Sequence, residues 1–297
     1  PRRRTSSAAF FNKLSKRKGS LRMLVGFIGT GNMGSAIMKG AFQNCFLKPY
    51  ETFIYDVNEE QVKRITDQFP VRVAQSNMDL ARQCDVIILA VKPAYMRNVL
   101  AEILKFTHNK RVISIAAGWT MGMLMDILGR DTSVQILRVM PNTPALVGEG
   151  YTALCEETTF NRQSIQWAKE LFSTLGAVQV LPERLFDAVV AVSGSSPAYV
   201  YMLIEAMADG AVRLGMPRKL ALQAAAQSVY GAAKMVLATG EHPSQLRDNV
   251  CSPGGTTIDA VYTLEKDGFR AAVIEAMEVC AEKNRRLAAA HDRRSRI

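Results

Sequence analysis

Met23-Leu-Val-Gly-Phe-Ile28-Gly29-Thr-Gly31-Asn-Met-Gly34 is the stretch on which the fold turns. Leu24 to Ile28 is a short apolar run of strand character. It passes into a G-x-G-x-x-G pattern, and a helical pattern continues from about Gly34 to Phe46. A strand entering glycines that open a helix is the context in which this pattern binds a dinucleotide. Glycine permits the tight turn and lets backbone N–H groups approach a pyrophosphate, while the helix amino end supplies partial positive charge. The alternative is a glycine turn that binds nothing.

Working outward, strand-like and helical stretches alternate. Strands are expected at Thr52–Tyr55, Val71–Ala74, Val86–Val91, Arg111–Ile115, Val134–Val139, Tyr151–Leu154 and Ala177–Leu181. Helices are expected at Glu59–Gln68, Asp79–Gln83, ahead of His108 and over Arg162–Thr174. The strands are continuously apolar, as in a parallel sheet covered on both faces. After Pro182 the strand pattern stops. Glu183–Ser193, Pro197–Leu214, Pro217–Ala238, Thr256–Lys266 and Phe269–Ala290 read as helices rich in Ala, Leu and Met. The expected class is therefore α/β: a Rossmann-type dinucleotide-binding domain over residues 23–181, then an all-helical domain over 182–297.

The 297 residues suit about two domains. A net charge of +10 suggests nucleic acid until it is located: residues 1–22 hold eight of the 37 cations and no acid. The remainder carries 29 cations against 27 acids, and Arg293, Arg294 and Arg296 crowd its end. The body is near neutral, so no nucleic-acid partner is expected. Residues 1–22 admit three origins: an expression or upstream-translation leader, an Arg- and Ser-rich targeting peptide, or a basic arm. The longest aliphatic run is Val86–Val91, against roughly 20 residues for a membrane span, so no membrane association is expected. Five scattered cysteines, with no CxxC pair, point to a reducing, cytoplasmic setting. His108, His242 and His291 have no neighbours at ligand spacing, and no metal is expected.

Three further features carry chemistry. Asp56 ends the second strand, where a carboxylate meets the adenosine ribose and repels a 2′-phosphate. That leans the cofactor towards NADH over NADPH, although Asp56 also reads as a loop residue before a helix. Lys63 and Arg64, the nearest cations, come a helical turn or more later. Ser193-Gly-Ser-Ser-Pro-Ala-Tyr199 reads as a break between two helices. Asp248-Asn-Val-Cys-Ser252-Pro-Gly-Gly255-Thr-Thr257 is a loop feeding a helix, whose orphan N–H groups at Gly255, Thr256 and Thr257 would receive a carboxylate. Capping by Thr256 or Ser252 is the plain alternative. Cys251 has only Arg247 near it in sequence and reads as a small hydrophobe.

Phe27–Gly34, Ala90-Val-Lys-Pro93, Ser193–Tyr199 and Asp248–Ile258, in this order, resemble the pyrroline-5-carboxylate reductase family over about Met23 to Leu287. Ser196 departs from the family's usual glycine. The resemblance implies reduction of 1-pyrroline-5-carboxylate to L-proline by NADPH or NADH. It implies cofactor contacts from Ile28, Gly29, Thr30, Gly31, Asn32 and Met33, from Asn77, from Ala90, Val91, Lys92 and Pro93, from Ala116 and Ala117, and from Asn249. Glu183, Ser252, Gly254, Gly255, Thr256 and Thr257 would meet the substrate. It also implies homodimers, or larger rings of dimers, with each active site near the dimer interface.

The chemistry agrees with what is missing. An iminium already carries its proton, so the site needs orientation, a carboxylate cradle and a hydrogen-bond partner for nitrogen. Thr257 is the candidate partner; the alternative is a threonine that only supports the helix start. A 3-hydroxyacid dehydrogenase would share the plan but look for a lysine in the first long helix of the second domain. Ser193 to Pro217 holds none, its one cation being Arg213. A non-catalytic NAD(P)-binding sensor would not need the Asp248–Thr257 loop.

Overall fold

The computed structural model describes residues 23–129 and 133–293. The basic segment 1–22, Arg294 and Arg296 lie outside the described residues. The chain divides into two compact units. One holds the sheet and ends at Glu183; the other holds Asn142–Pro144 and everything from Arg184.

The first unit is built on one eight-stranded sheet in the order β3-β2-β1-β4-β5-β6-β7-β8. The strands are β1 (Val25–Ile28), β2 (Thr52–Tyr55), β3 (Arg72–Val73), β4 (Val86–Leu89), β5 (Arg111–Ser114), β6 (Gln135–Met140), β7 (Gly150–Cys155) and β8 (Gly176–Leu181). The helices between them are α1 (Asn32–Gln43), α2 (Glu59–Thr66), α3 (Asn77–Gln83), α4 (Met96–Ile103), α5 (Met121–Leu128) and α6 (Arg162–Ser173). The register is parallel from β3 through β6, with Ile28 opposite both Tyr55 and Leu89. The expected all-parallel sheet needs one correction. β6 and β7 pair antiparallel, Val139 opposite Leu154, and β8 then pairs parallel with β7. Pro141 to Glu149 is too short for the roughly dozen-residue crossover that a parallel return requires.

Phe27, Ile54, Ile88, Ile113 and Leu137 on the strands pack with Ile37, Met38 and Ala41 of α1 and with Leu171 and Phe172 of α6. All are essentially inaccessible to solvent, which explains the apolar runs of the central strands, whereas β3 is exposed at both residues and β8 alternates in exposure. α5 has no counterpart among the expected helices. Six of its eight residues are apolar, so it shows no 3.6-residue period; its one local signal is Thr120, whose hydroxyl accepts from the Met123 N–H.

The second unit is helical: α7 (Phe186–Val189), a π-turn (Val190–Ser195), α8 (Ser196–Arg213), α9 (Arg218–Thr239), α10 (Pro243–Val250), α11 (Thr256–Lys266) and α12 (Phe269–Arg293). The expected break at Ser193–Tyr199 is instead a continuous helix with a π-turn. Pro197 has no N–H to give the carbonyl four residues back. That carbonyl, on Ser193, accepts instead from Asn142 Nδ2 at 3.1 Å. The Ser193 and Ser196 hydroxyls donate to the carbonyls of Val189 and Val192. Ser196 has ordinary helical angles, so a side chain is accommodated there. α10 is a second helix the periodicity does not announce, started by Pro243, with His242 Nδ1 accepting from the Ser244 N–H.

Where α8 and α9 meet, the buried residues are three alanines, Ala208, Ala221 and Ala225. Tyr201, Met202, Leu220, Tyr230 and Met235 remain exposed. Glu183–Arg213 is also long and apolar enough, by length and composition, to cross a membrane. A count of uninterrupted aliphatic runs does not reveal this, because polar residues interrupt the segment.

Candidate active site

The carboxyl ends of β1, β2, β3, β4 and β5 gather most of the residues expected at the cofactor. Gly29 has φ +98°, and a Cβ on it would lie 2.7 Å from the Ala90 backbone. A Cβ on Gly34 would lie 2.4 Å from the Gly29 carbonyl oxygen. Only glycine lets β1, the β4 end and α1 approach so closely. Gly31 is different, because an added Cβ would meet nothing within 4 Å. It faces open space at the amino end of α1, where no side chain caps the helix and no acid lies in the first turn. Asn32 and Met33 are the first residues of that helix, and their N–H groups belong to its orphan donors. The residues present therefore fit a dinucleotide pyrophosphate: Gly31 leaves the cradle, and the uncapped turn supplies the donors.

Thr30 is fully buried. Its N–H donates to Asp56 Oδ2 at 2.7 Å and its hydroxyl to the same oxygen at 3.1 Å. The Asn58 N–H donates to Asp56 Oδ1 at 3.0 Å. A carboxylate offers about four lone-pair sites, so three of them are taken by the protein, and the negative charge is fixed at the end of β2. Asn77 is the first residue of α3 and is buried; its Nδ2 donates to Glu102 Oε2 at 2.7 Å. The loop Ala90–Pro93 comes after β4, and Ala116–Ala117 after β5. The two loops are tied together by Trp119, whose Nε1 donates to the Pro93 carbonyl at 2.9 Å.

Glu183 stands apart from this cluster. Its Oε1 accepts from Arg138 Nη1 and from the Met121 N–H, both at 2.7 Å. Its own N–H donates to Glu157 Oε2 at 2.7 Å, and that oxygen also accepts from the Cys155 thiol at 3.3 Å. Burial pushes the Cys155 thiol up to about 12, so it stays protonated. Glu183 thus joins β6, the amino end of α5 and the end of β8. Arg138, Trp119 and Asn142 are contributors that motif reading misses. For Arg138 the signal is present: one cation inside the apolar strand Gln135–Met140.

In the helical unit, Asn249 lies in the last turn of α10, and Ser252, Gly254, Gly255, Thr256 and Thr257 lie on the loop after it and the start of α11. Gly254 has φ +68°, a left-handed conformation that suits glycine. A Cβ on Gly255 would lie 2.3 Å from Ser252 Oγ, so Gly255 keeps the turn closed, with its N–H donating to the Ser252 carbonyl at 3.0 Å. Gly255 is the N-cap and offers no side-chain bond; Thr256 is already inside the helix, and Ser252 does not cap it. The plain capping alternative is therefore not what the structure shows. The start of α11 keeps its donors for something else, with two threonine hydroxyls beside them. Asn249 Oδ1 accepts from Gln245 Nε2 at 3.0 Å. Cys251 is half-buried. In the Ser193–Tyr199 segment, the Cys280 thiol donates to Ser195 Oγ at 3.1 Å, and burial pushes the Tyr199 phenol up. Among the described residues no group of His, Cys, Asp or Glu could hold a metal ion.

A Rossmann-type unit followed by an all-helical unit with an open, threonine-flanked helix start defines a two-domain oxidoreductase. Residues 183–287 match the family model described as pyrroline-5-carboxylate reductase dimerisation, and residues 24–118 match that described as NADP oxidoreductase, coenzyme F420-dependent. The chain belongs to the pyrroline-5-carboxylate reductase family. It is 48% identical to the pyrroline-5-carboxylate reductase of Escherichia coli K12 over 264 residues, covering 89% of this chain and 97% of that one. It is 42% identical to that of Methanosarcina acetivorans over the same shares. Among solved structures, the Plasmodium falciparum pyrroline carboxylate reductase with NADP bound is similar at TM-score 0.83 and 34% identity, over 91% of this chain and 100% of that one. The Coxiella burnetii enzyme is similar at TM-score 0.82 and 31% identity, over 90% and 99%.

Proposed function

We propose that this chain reduces 1-pyrroline-5-carboxylate to L-proline, the last step of proline biosynthesis, using a nicotinamide dinucleotide. The observation that carries the reading is the bare amino end of α11. Orphan N–H groups at Thr256 and Thr257 form a carboxylate cradle that no side chain of the loop fills, whereas the expected third donor, the Gly255 N–H, is taken by the Ser252 carbonyl. The dinucleotide supplies the hydride when bound. Gly31, Asn32 and Met33 would hold its pyrophosphate, Asp56 and Asn77 its adenosine half, and Ala90–Pro93, Ala116–Ala117 and Asn249 the remainder. The substrate nitrogen carries its proton in the reactive form, so no side chain has to transfer one. The Thr257 hydroxyl accepts a hydrogen bond from that N–H and orients the ring. The 3-hydroxyacid dehydrogenase reading and the sensor reading are not favoured.

Asp56 supports a preference for NADH. Its charge, fixed by Thr30 and Asn58, opposes a 2′-phosphate, and Lys63 and Arg64 stand in the last turn of α2. The exposed apolar side chains of α8 and α9, together with the dimerisation model matched over 183–287, support a homodimer. A second copy, rather than a membrane, is then the partner of the Glu183–Arg213 helix. The free state of all five cysteines supports a reducing, cytoplasmic setting.

The test is oxidation of NADH and of NADPH with 1-pyrroline-5-carboxylate, for the wild type and Thr257→Ala. The wild type should turn over, with the higher kcat/KM for NADH. Thr257→Ala should lose about tenfold to a hundredfold in kcat/KM, the value of one strong hydrogen bond to a charged group, and keep its dinucleotide affinity. No wild-type turnover with either cofactor would overturn the reading.

A further inference from the structure

We propose that Glu102 is a positioning residue for the cofactor site, fixing the Asn77 amide so that its carbonyl oxygen is presented to a hydrogen-bond donor on the adenosine half of the dinucleotide. Asn77 is 8% exposed, and its Nδ2 is held by Glu102 Oε2 at 2.7 Å. A carboxylate only accepts, so the amide orientation is settled by chemistry: nitrogen to Glu102, oxygen away from it. That oxygen, Oδ1, is buried and has no hydrogen-bond partner in the protein. The helix end does not use it either. Ser76 is the N-cap of α3 and accepts from the Asp79 N–H at 3.1 Å, while Asp79 accepts from the Gln75 N–H at 3.0 Å.

A buried carbonyl without a donor is a cost that folds seldom carry unless something binds there. α3 comes directly after β3, so its amino end lies at the carboxyl edge of the sheet, the edge that also holds Gly31 and Asp56. The missing partner is therefore a donor, a ribose hydroxyl or the adenine amine; a 2′-phosphate, with no proton to give, does not satisfy it. Glu102 touches neither. It acts through Asn77, and it is exposed, so its replacement leaves the core intact. The inference rests on the reading that Asn77 lies in the cofactor site.

The experiment measures Kd for NADH and NADPH by cofactor fluorescence, with steady-state kinetics and thermal melting. The proteins are the wild type, Glu102→Ala, Glu102→Gln, Asn77→Ala and the Glu102→Ala/Asn77→Ala double variant. Glu102→Ala should raise the NADH Kd about twofold to tenfold, the range of one hydrogen bond, with kcat at saturating cofactor and the KM for pyrroline-5-carboxylate unchanged. Glu102→Gln keeps an acceptor oxygen and should restore wild-type affinity. The double variant should bind like Asn77→Ala, because the two act as one unit. Loss confined to NADH assigns the donor to the ribose 2′-hydroxyl, and equal loss for both cofactors assigns it to the 3′-hydroxyl or the adenine amine; either supports the proposal. Three results overturn it: wild-type affinity in Glu102→Ala, Glu102→Gln as weak as Glu102→Ala, or additive effects in the double variant. If Asn77→Ala binds both cofactors normally, the placement of Asn77 in the site fails as well.

Discussion

Replacing Gly31 and Gly34 separately by alanine distinguishes a glycine that serves a ligand from one that serves the fold. A methyl on Gly34 would lie 2.4 Å from the Gly29 carbonyl oxygen and 3.2 Å from the Ala90 Cβ, and the first of these is backbone that cannot rotate away. Helix propensity would return about 1 kcal/mol, but overpacking of this kind costs about 1–3 kcal/mol, so the variant should melt lower. A methyl on Gly31 meets nothing within 4 Å, and the backbone there, φ −62° and ψ −168°, is open to any residue. Reduced unfolded-state freedom returns about 0.4–1 kcal/mol, and loss of a good N-cap residue takes back a similar amount. The melting temperature of Gly31→Ala should therefore stay within roughly 3 °C of the wild type. The methyl instead occupies the approach of the pyrophosphate, and a clash of about 1–3 kcal/mol weakens dinucleotide binding roughly 5- to 150-fold. Melting curves and NADH fluorescence titrations read both quantities. Wild-type NADH affinity in a stably folded Gly31→Ala protein would refute the placement of the pyrophosphate.

Three further outcomes are expected. Breaking the Arg138–Glu183 pair should be asymmetric. Glu183→Ala takes the carboxylate from a guanidinium that is 5% exposed, whereas after Arg138→Met the carboxylate, 25% exposed, keeps the Met121 N–H and solvent, so chemical denaturation should show the larger loss for Glu183→Ala. Burial pushes the Cys84 and Cys155 thiols up to about 12 from 9. Both should resist a thiol reagent at pH 8 in the native protein while exposed Cys45 reacts, as mass spectrometry of labelled cysteines would show. Because the folded state holds these protons more tightly than the unfolded one, stability should be unaffected by the two thiols below about pH 9 and fall between about 9 and 12.

The parts of the fold that are legible in the sequence are those set by local period. The β1 motif, the buried strands and the long helices after Pro182 announce themselves through runs of apolar residues and through glycine and proline. α5 escapes because Met121, Met123, Leu124, Met125, Ile127 and Leu128 leave no polar face to define a period. The antiparallel β6–β7 pair escapes because buried strands look alike in either direction, and only the short connection betrays it. The π-turn reads as a break because Ser-Gly-Ser-Ser-Pro is break chemistry, and the rescue by Asn142 comes from 51 residues away. The same holds at the site. Glycines and threonines on one loop are visible as motifs. The Arg138–Glu183 bond spans 45 residues and the Asn77–Glu102 bond 25, and neither has a spacing to read.

The π-turn at Val190–Ser195 sets the rotational phase between α7 and α8. Each α-helical residue advances the face by about 100°, and a π-turn absorbs one residue more than an α-turn. α12 touches both sides of this junction: Asn284 donates to Asp187 ahead of it, and Cys280 donates to Ser195 at its end. Winding 190–195 as a plain α-helix with all six residues kept would swing α8 by about 100° relative to α7. Only one of the two sets of contacts could then be kept. Deleting one residue from 190–195 would instead restore plain α-geometry with the phase preserved, so a one-residue deletion there should do less harm than one inside α8.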